Sequence, residues 1–521
     1  MNNELLVPSI LLGIVAGIGA MDVTGGEFNW WRPLICGTIA GIILGDIKTG
    51  LIIGGGLELT WLVAANIGGA APPDVTVGGV VGVAVAHFTG TQDVGLALAA
   101  ALPAALLGQQ AWYLAFMTNT LLIHAEDRFA EKGNLKACER IHLGAYAVWF
   151  TFYFIVTFIS IYFGIPAIEK ILNSMPEWLM GGLGVAGGLL PALGITLLIS
   201  QIITKVNWVY FLAGFVLATF FDLPIIATAL IAIVIAFLLY FASDIAKGIG
   251  AENKSEMKGE YKGLLTKGDR FRMALRSLAS HGAACPERFL AGGMLFVLTP
   301  LIRKLYKTKE EISAAMKRHL ILYNVQPTVT TLVMGSVAAM EEQIEDKDAI
   351  IAYKAGVMGP MAGIGDSLIY FTIMPLTMSI GAAMAMQGNI AGPIISFLLY
   401  NVITQSIRYF GLELGYTKGL ELMEQLRGGL MEKISKAAAV VGLMVMGTAL
   451  VKTVSLATPL AVKLGEESLP IQPMIDGILP NLLPLAFFFL LLRGVRKGVS
   501  PLLLMISILV GSILLVALGI L

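Results

Sequence analysis

Carboxylates and amides are scarce in the apolar stretches of this sequence, and those present are spaced as a binding site would need them. Glu58 lies within GGGLELTWLVAANIGG, with Trp61 close by, Asn66 eight residues on, and Asp74 after Pro72-Pro73. Carboxylates and amides that accept or donate to paired hydroxyls, beside an aromatic ring, are the equipment for holding a neutral polyhydroxylated solute such as a sugar. An ionisable residue inside an apolar segment is costly and is a functional hypothesis by default. Two readings are open for Glu58: a ligand for solute, or a structural carboxylate satisfied by backbone amides freed at a helix break. Asp74 is either a ligand or the N-cap of the apolar run starting near Val77.

The C-terminal half offers a second set. Glu287-Arg288 precedes an apolar segment, Asn324-Val-Gln326-Pro327 sits where a helix must break at the proline, and Asp366 closes a glycine- and proline-interrupted run. Glu287 and Arg288 read as solute contacts or as a buried or rim ion pair, and Asn324 and Gln326 as solute contacts or as partners of proline-freed carbonyls. His87, His124, His142, His281 and His319 show no metal-type spacing and stand beside no nucleophile signature; His319 follows Lys317-Arg318 in a basic patch. Cys36, Cys138 and Cys285 are too far apart for a zinc or disulfide framework and read as small apolar fillers. No metal or cofactor is expected, and no Walker A loop is present.

These residues must be positioned by helices in lipid. The 521 residues are 57% hydrophobic and 13% charged, against roughly 25% charged in soluble domains. Apolar segments fall near 5–20, 34–45, 50–66, 77–88, 94–123, 144–165, 179–203 and 207–243, the last long enough for two helices, and again near 289–302, 329–340, 354–364, 367–386, 390–412, 435–456, 474–492 and 499–520. The expected fold is an all-α polytopic membrane protein. Lys plus Arg and Asp plus Glu balance at 35 each, so nothing draws the chain to nucleic acid. The first apolar stretch lacks a basic n-region and is expected to be retained as a membrane segment.

Several apolar runs are too short for a hydrocarbon core about 30 Å thick, and glycine numbers 59. Some helices are therefore expected to be broken or re-entrant, a feature tolerated where protein or a water-filled cavity satisfies the backbone. The strongest interruptions, Asn66 to Asp74 and Met358 to Asp366, occupy related places in the two halves, which points to a solute site at a repeat interface. Between the halves, the polar stretch from Asp244 to Arg276 carries eight basic residues against five acids. The expected organisation is a membrane domain over 1–243, a cytoplasmic linker over 244–263, and a membrane domain over 264–521 opening with an amphipathic helix. The positive-inside rule puts the Arg128–Arg140, Arg303–Arg318 and Arg493–Lys497 loops on the linker's side.

The chain resembles the membrane subunits of mannose-type bacterial phosphotransferase systems. Arg32-Pro33-Leu34, Leu44-Gly45-Asp46, Gly54-Gly55, Leu57-Glu58, Asn66-Ile67-Gly68 and Pro73-Asp74 are similar to the IIC subunit. Pro286-Glu287-Arg288, Lys317-Arg318-His319, Asn324-Val-Gln326-Pro327, Glu341-Glu342-Gln343, Gly356 to Asp366, Arg408-Tyr409 and Gly415 to Gly419 are similar to IID. The resemblance implies two pseudo-symmetric membrane halves and import of a hexose-like sugar in a bacterial inner membrane. It implies phosphorylation from phosphoenolpyruvate through separate IIA and IIB proteins that bear the phosphohistidines, and assembly as a homotrimer in lipid. It also implies that Glu58, Asn66 and Asp74, with Glu287, Asn324 and Gln326, line one sugar cavity, Glu58 or Asp74 orienting or deprotonating the sugar hydroxyl. Joining IIC to IID in one chain departs from the usual separate subunits, and Cys285 replaces an asparagine common two residues before the Glu-Arg pair.

Two other classes compete. An ion-coupled secondary transporter would use Glu58 or Asp366 as a proton or sodium site and need no phosphoryl relay. A lipid-modifying membrane enzyme would need a clustered His/Asp or Ser/His set, which the sequence does not display. Service as a toxin or phage receptor, known for some relatives, leaves no mark in the residues.

Overall fold

A computed structural model of the chain describes residues 3–62, 64, 72–172, 176–240, 242, 263–425, 431–464 and 467–521. Asn66 and all but the last residue of the 244–263 linker lie outside them.

Helices account for almost all regular structure. By length and composition, Glu4–Val23, Val94–Glu131, Leu135–Ile168, Trp178–Ser200, Asp348–Ala385 and Lys436–Thr453 can each cross a bilayer, and the bent pair Ile471–Ile478 and Leu482–Arg496 makes a seventh span among the described residues. The chain is a multi-pass membrane protein. The long 207–243 run resolves into two helices, Trp208–Phe221 and Ile225–Tyr240. The amphipathic helix after the linker is Lys267–Ser277, opened by a capping box between Thr266 and Asp269.

Water cannot drive these helices together in lipid, so close packing must. Helices Pro33–Ile43 and Ile47–Thr60 cross where Gly37 and Gly41 meet Gly54 and Gly50; a Cβ on Gly41 would lie 2.6 Å from the Gly50 Cα. The same device joins the two halves. A Cβ on Gly214, in Trp208–Phe221, would lie 1.8 Å from the carbonyl oxygen of Met444, in Met431–Thr453, and one on Gly447 would lie 2.1 Å from the Phe211 carbonyl oxygen. The Pro501–Ala517 helix likewise packs on Glu177–Ile202, and Met374–Ala385 on Ile47–Thr60. The halves are therefore interlocked by helix contacts and do not meet at one flat face.

Of the two expected interruptions, the second is placed differently. Met358 to Asp366 is not a break: the Asp348–Leu368 helix runs through Pro360 and continues by a π-helical turn, Ile369–Ile373, into Met374–Ala385. Proline inside a membrane helix is tolerated where neighbours or a local π adjustment take up the freed groups, and here the π turn follows Asp366 directly. The broken span of this half lies later, where Ile471–Ile478 and Leu482–Arg496 meet at 78° around Asn481, which has φ of +62°. A two-stranded antiparallel hairpin, Ala461–Leu464 with Glu467–Pro470, precedes it. In the first half, the described chain leaves helix Ile47–Thr60 and re-enters helix at Val75.

Candidate functional site

The loop between the first two helices, Asn3–Val23 and Pro33–Ile43, organises the densest buried polar cluster at the junction of the halves. Asp22 is its hub: its carboxylate accepts from the backbone amides of Phe28 (2.8 Å) and Trp30 (2.8 Å), and its carbonyl from those of Gly25 and Glu27. This wraps the backbone tightly enough that Glu27 and Asn29 have φ of +52° and +71°. Non-glycine residues in that region are uncommon, and strain of this kind concentrates at binding and catalytic sites.

Second-half groups close over the loop. The Gln326 amide nitrogen donates to Glu27 Oε2 (3.3 Å), and the Tyr370 hydroxyl, on the π turn, donates to Glu27 Oε1. Gln326 is held for this by its own oxygen, which accepts from the Thr328 and Val329 amides after the Pro327 break. Asp366, half-buried one turn before Tyr370, is near enough for its charge to act on both Glu27 and Tyr370. Asn29 is fully buried, and neither its amide nitrogen nor its oxygen has a hydrogen-bond partner; the Tyr400 hydroxyl and Thr328 Oγ1 are likewise buried without one. Buried polar groups are normally paired, so a cluster of unpaired ones at a strained loop is prepared for a polar ligand.

The remaining predicted residues are distributed around this centre. Glu58 is completely buried, paired with Arg32 through Nε (2.8 Å) and Nη2 (2.5 Å), and accepts from the Leu34 amide (3.2 Å). Arg32 also donates to the carbonyls of Trp61 (2.9 Å) and Ala64 (2.9 Å), so the pair secures the end of helix Ile47–Thr60 where the chain turns toward Asn66. Its geometry is that of the structural carboxylate, with the addition of an arginine. Asp74 caps Val75–Thr89, accepting from Val77 N (2.8 Å), and its other oxygen takes the Tyr153 hydroxyl (2.5 Å). Glu287 and Arg288 do not pair with each other: Glu287 meets His124 (2.9 Å) and Arg288 meets Asp127 (2.6 Å), both on Val94–Glu131 of the first half. The backbone amide of Asn324 faces Met358 Sδ (3.1 Å). Cys285 is buried, and the Asn119 amide of the first half donates to the neighbouring Ala284 carbonyl (3.1 Å).

Sequence reasoning brought Gln326 and Asp366 to the right place and missed Glu27, Asn29, Tyr370 and Asp22. A signal existed in MDVTGGEFNWWRP, two acids and an asparagine in the short connection between apolar runs.

His319 is not part of an exposed basic patch. It is fully buried, Nε2 bonding Glu341 Oε1 (2.9 Å), while Arg318 holds both oxygens of Glu341 (2.7 and 3.0 Å) and Tyr306 adds its hydroxyl (2.5 Å). Burial pushes the His319 imidazole down to about 4, only partly offset by Glu341. Burial works against ionisation of Glu341 too, but the donors from His319, Arg318 and Tyr306 outweigh it and hold the carboxyl well below its usual range. Among the described residues, no cluster of three or more His, Cys, Asp or Glu side chains is arranged to hold a metal ion.

Residues 6–238 match the family described as PTS system sorbose-specific IIC component, and residues 264–521 the PTS system mannose/fructose/sorbose family IID component. Over 261 residues the chain is 39% identical to the fructose permease IID component of Bacillus subtilis, covering 48% of this chain and 95% of that protein. It is 34% identical over 232 residues to the mannose-specific EIIC component of Escherichia coli, covering 44% of this chain and 86% of that one. Among solved structures it is similar to a mannose transporter determined by cryo-EM in complex with a microcin, at 34% identity and a TM-score of 0.30, covering 50% of this chain and 99% of that chain. The chain belongs to the mannose/fructose/sorbose family of phosphotransferase-system membrane permeases, with a IIC component and a IID component in one polypeptide.

Proposed function

We propose that this protein imports a hexose-like sugar by group translocation, the sugar being held between the IIC and IID halves by Glu27, Asn29, Gln326 and Asp366 and phosphorylated on the cytoplasmic side by a separate IIB protein charged through IIA. The observation that carries the site is Asn29: a fully buried amide with neither donor nor acceptor used, two residues from a carboxylate gripped by the opposite half. A sugar hydroxyl accepts and donates, which matches an amide beside a carboxylate.

Glu27, Asn29 and Gln326 are all buried. Sugar therefore reaches them when one half rocks against the other, opening the junction first to one side and then to the other. Asn66 belongs to the same site in this reading, at the end of the segment that Arg32 and Glu58 secure. Glu58 and Asp74 act by positioning, since their oxygens are already engaged; Glu287 and Arg288 act as cross-half contacts. Phosphoryl transfer relies mainly on positioning and electrostatics, so the chain's contribution is to present the sugar hydroxyl to IIB. The setting is a bacterial inner membrane, with domains over 1–243 and 264–521, the 244–263 linker cytoplasmic, and a homotrimer embedded in lipid.

Equilibrium sugar binding to the purified protein tests the site. Asn29→Ala and Glu27→Gln are expected to weaken binding at least tenfold, as loss of a hydrogen bond to a buried polar group does. Unchanged affinity in both variants refutes this placement.

A further inference from the structure

The Ala391–Gln425 helix of the IID half carries Asn401, Gln405 and Arg408, spaced four and three residues apart and so on one face. All three reach backbone carbonyls of the IIC loop or its support. Asn401 Nδ2 donates to the Phe28 carbonyl (3.0 Å), Gln405 Nε2 to the Gly26 carbonyl (3.1 Å), and Arg408 Nη2 to the same Gly26 oxygen (3.2 Å). Arg408 Nη1 also donates to the Ser277 carbonyl (2.7 Å), at the end of the Lys267–Ser277 helix.

The two gripped carbonyls flank Glu27 on either side. From the other side the loop is held by Asp22, through the amides of Phe28 and Trp30. The peptide units that set the direction of Glu27 and Asn29 are thus clamped between a carboxylate of one half and a stripe of donors from the other. Carbonyl contacts fix backbone orientation and leave the loop's side chains available. The left-handed φ at Glu27 and Asn29 needs such outside support, because an isolated loop would relax from it.

We propose that Asn401, Gln405 and Arg408 are positioning residues through which the IID half sets the orientation of Glu27 and Asn29, so that the sugar affinity of the IIC loop is fixed by its partner half. This rests on the reading of Glu27 and Asn29 as sugar ligands.

The test measures initial rates of sugar phosphorylation against sugar concentration, using the full chain in proteoliposomes with the complete soluble relay. Asn401→Ala and Gln405→Ala each remove one bond to the loop backbone and are expected to raise KM about five- to tenfold with kcat within about twofold. Arg408→Lys keeps one donor and is expected to show a smaller rise. Combining Gln405→Ala with Asn29→Ala is expected to raise KM no further than Asn29→Ala alone, because coupled residues are not additive. A structural role alone would lower the amount of active protein and leave KM unchanged. If Asn29→Ala raises KM while the Asn401 and Gln405 variants do not, the positioning role is overturned and the sugar site stands. If Asn29→Ala and Glu27→Gln both leave KM unchanged, the site itself falls and the positioning role with it.

Discussion

At the scale of single residues, the account separates side chains whose hydrogen-bonding capacity is used up by the fold from those whose capacity is not. Asn29 is in the second group, so Asn29→Ala is expected to leave the thermal unfolding midpoint unchanged or slightly raised while sugar affinity falls, the two being measured on the same detergent-purified protein. Arg32 is in the first group. Arg32→Ala strands a buried Glu58 carboxylate and releases the Trp61 and Ala64 carbonyls, and is expected to lower stability by about 3–5 kcal/mol, as removal of one partner from a buried pair does. Thermal denaturation reads this, and a midpoint within a degree of wild type would show that the pair carries no such load. Glu58 was visible in the sequence because a carboxylate among glycines and leucines is conspicuous; its arginine partner, 26 residues earlier, was not paired with it. Glu27 was hidden for the opposite reason. A glutamate in a Gly-Gly loop looks solvated, and its burial comes from Gln326, Tyr370 and Arg408, about three hundred residues or more away, a distance at which local pattern says nothing.

At the scale of elements, helix termini and one buried pair set the expectations. Asp74→Ala removes the N-cap of Val75–Thr89 and the acceptor for Tyr153, and is expected to cost at least the roughly 1–2 kcal/mol of a lost cap; Asp74→Asn, which retains an acceptor oxygen, should recover part of it. The Lys309–His319 helix is held to Thr330–Gln343 by His319, Arg318 and Glu341. Because the folded protein holds His319 below the ordinary histidine range of about 6.5, the unfolded chain binds the extra proton first. The contribution is complete above about pH 6.5 and is lost as pH falls toward about 4. The unfolding midpoint should decline across that window, and His319→Gln, which retains a donor for Glu341, should flatten the slope; an unaltered slope would remove His319 from the explanation. Helix positions were legible because apolar runs are unmistakable, and the pair hidden in 207–243 was read from length alone. The interruption expected at Met358 to Asp366 was misplaced: glycine and proline mark backbone able to break, but Pro360 is carried within a continuous helix and the irregularity emerges as the π turn after Asp366.

At the scale of the whole molecule, the halves are joined by helix crossings at glycine, by Arg276 and Glu139, Arg288 and Asp127, and by the loop that carries Glu27. A site assembled from both halves makes transport depend on their relative motion. Arg288→Ala, which leaves Asp127 without its arginine, is expected to alter turnover more than sugar affinity, measured as kcat against KM; a pure KM effect would instead make Arg288 a sugar contact. That the chain holds two membrane halves was plain from hydropathy and the polar stretch between them, whereas their interlocking depends on long-range glycine contacts that no single segment announces. The most direct test of the account is reconstitution of the full chain in liposomes with labelled hexoses, with and without phosphoenolpyruvate and the soluble relay including cognate IIA and IIB. Sugar phosphate accumulating only with the complete relay is the predicted result, and concentrative uptake of unmodified sugar driven by an ion gradient without the relay would contradict it.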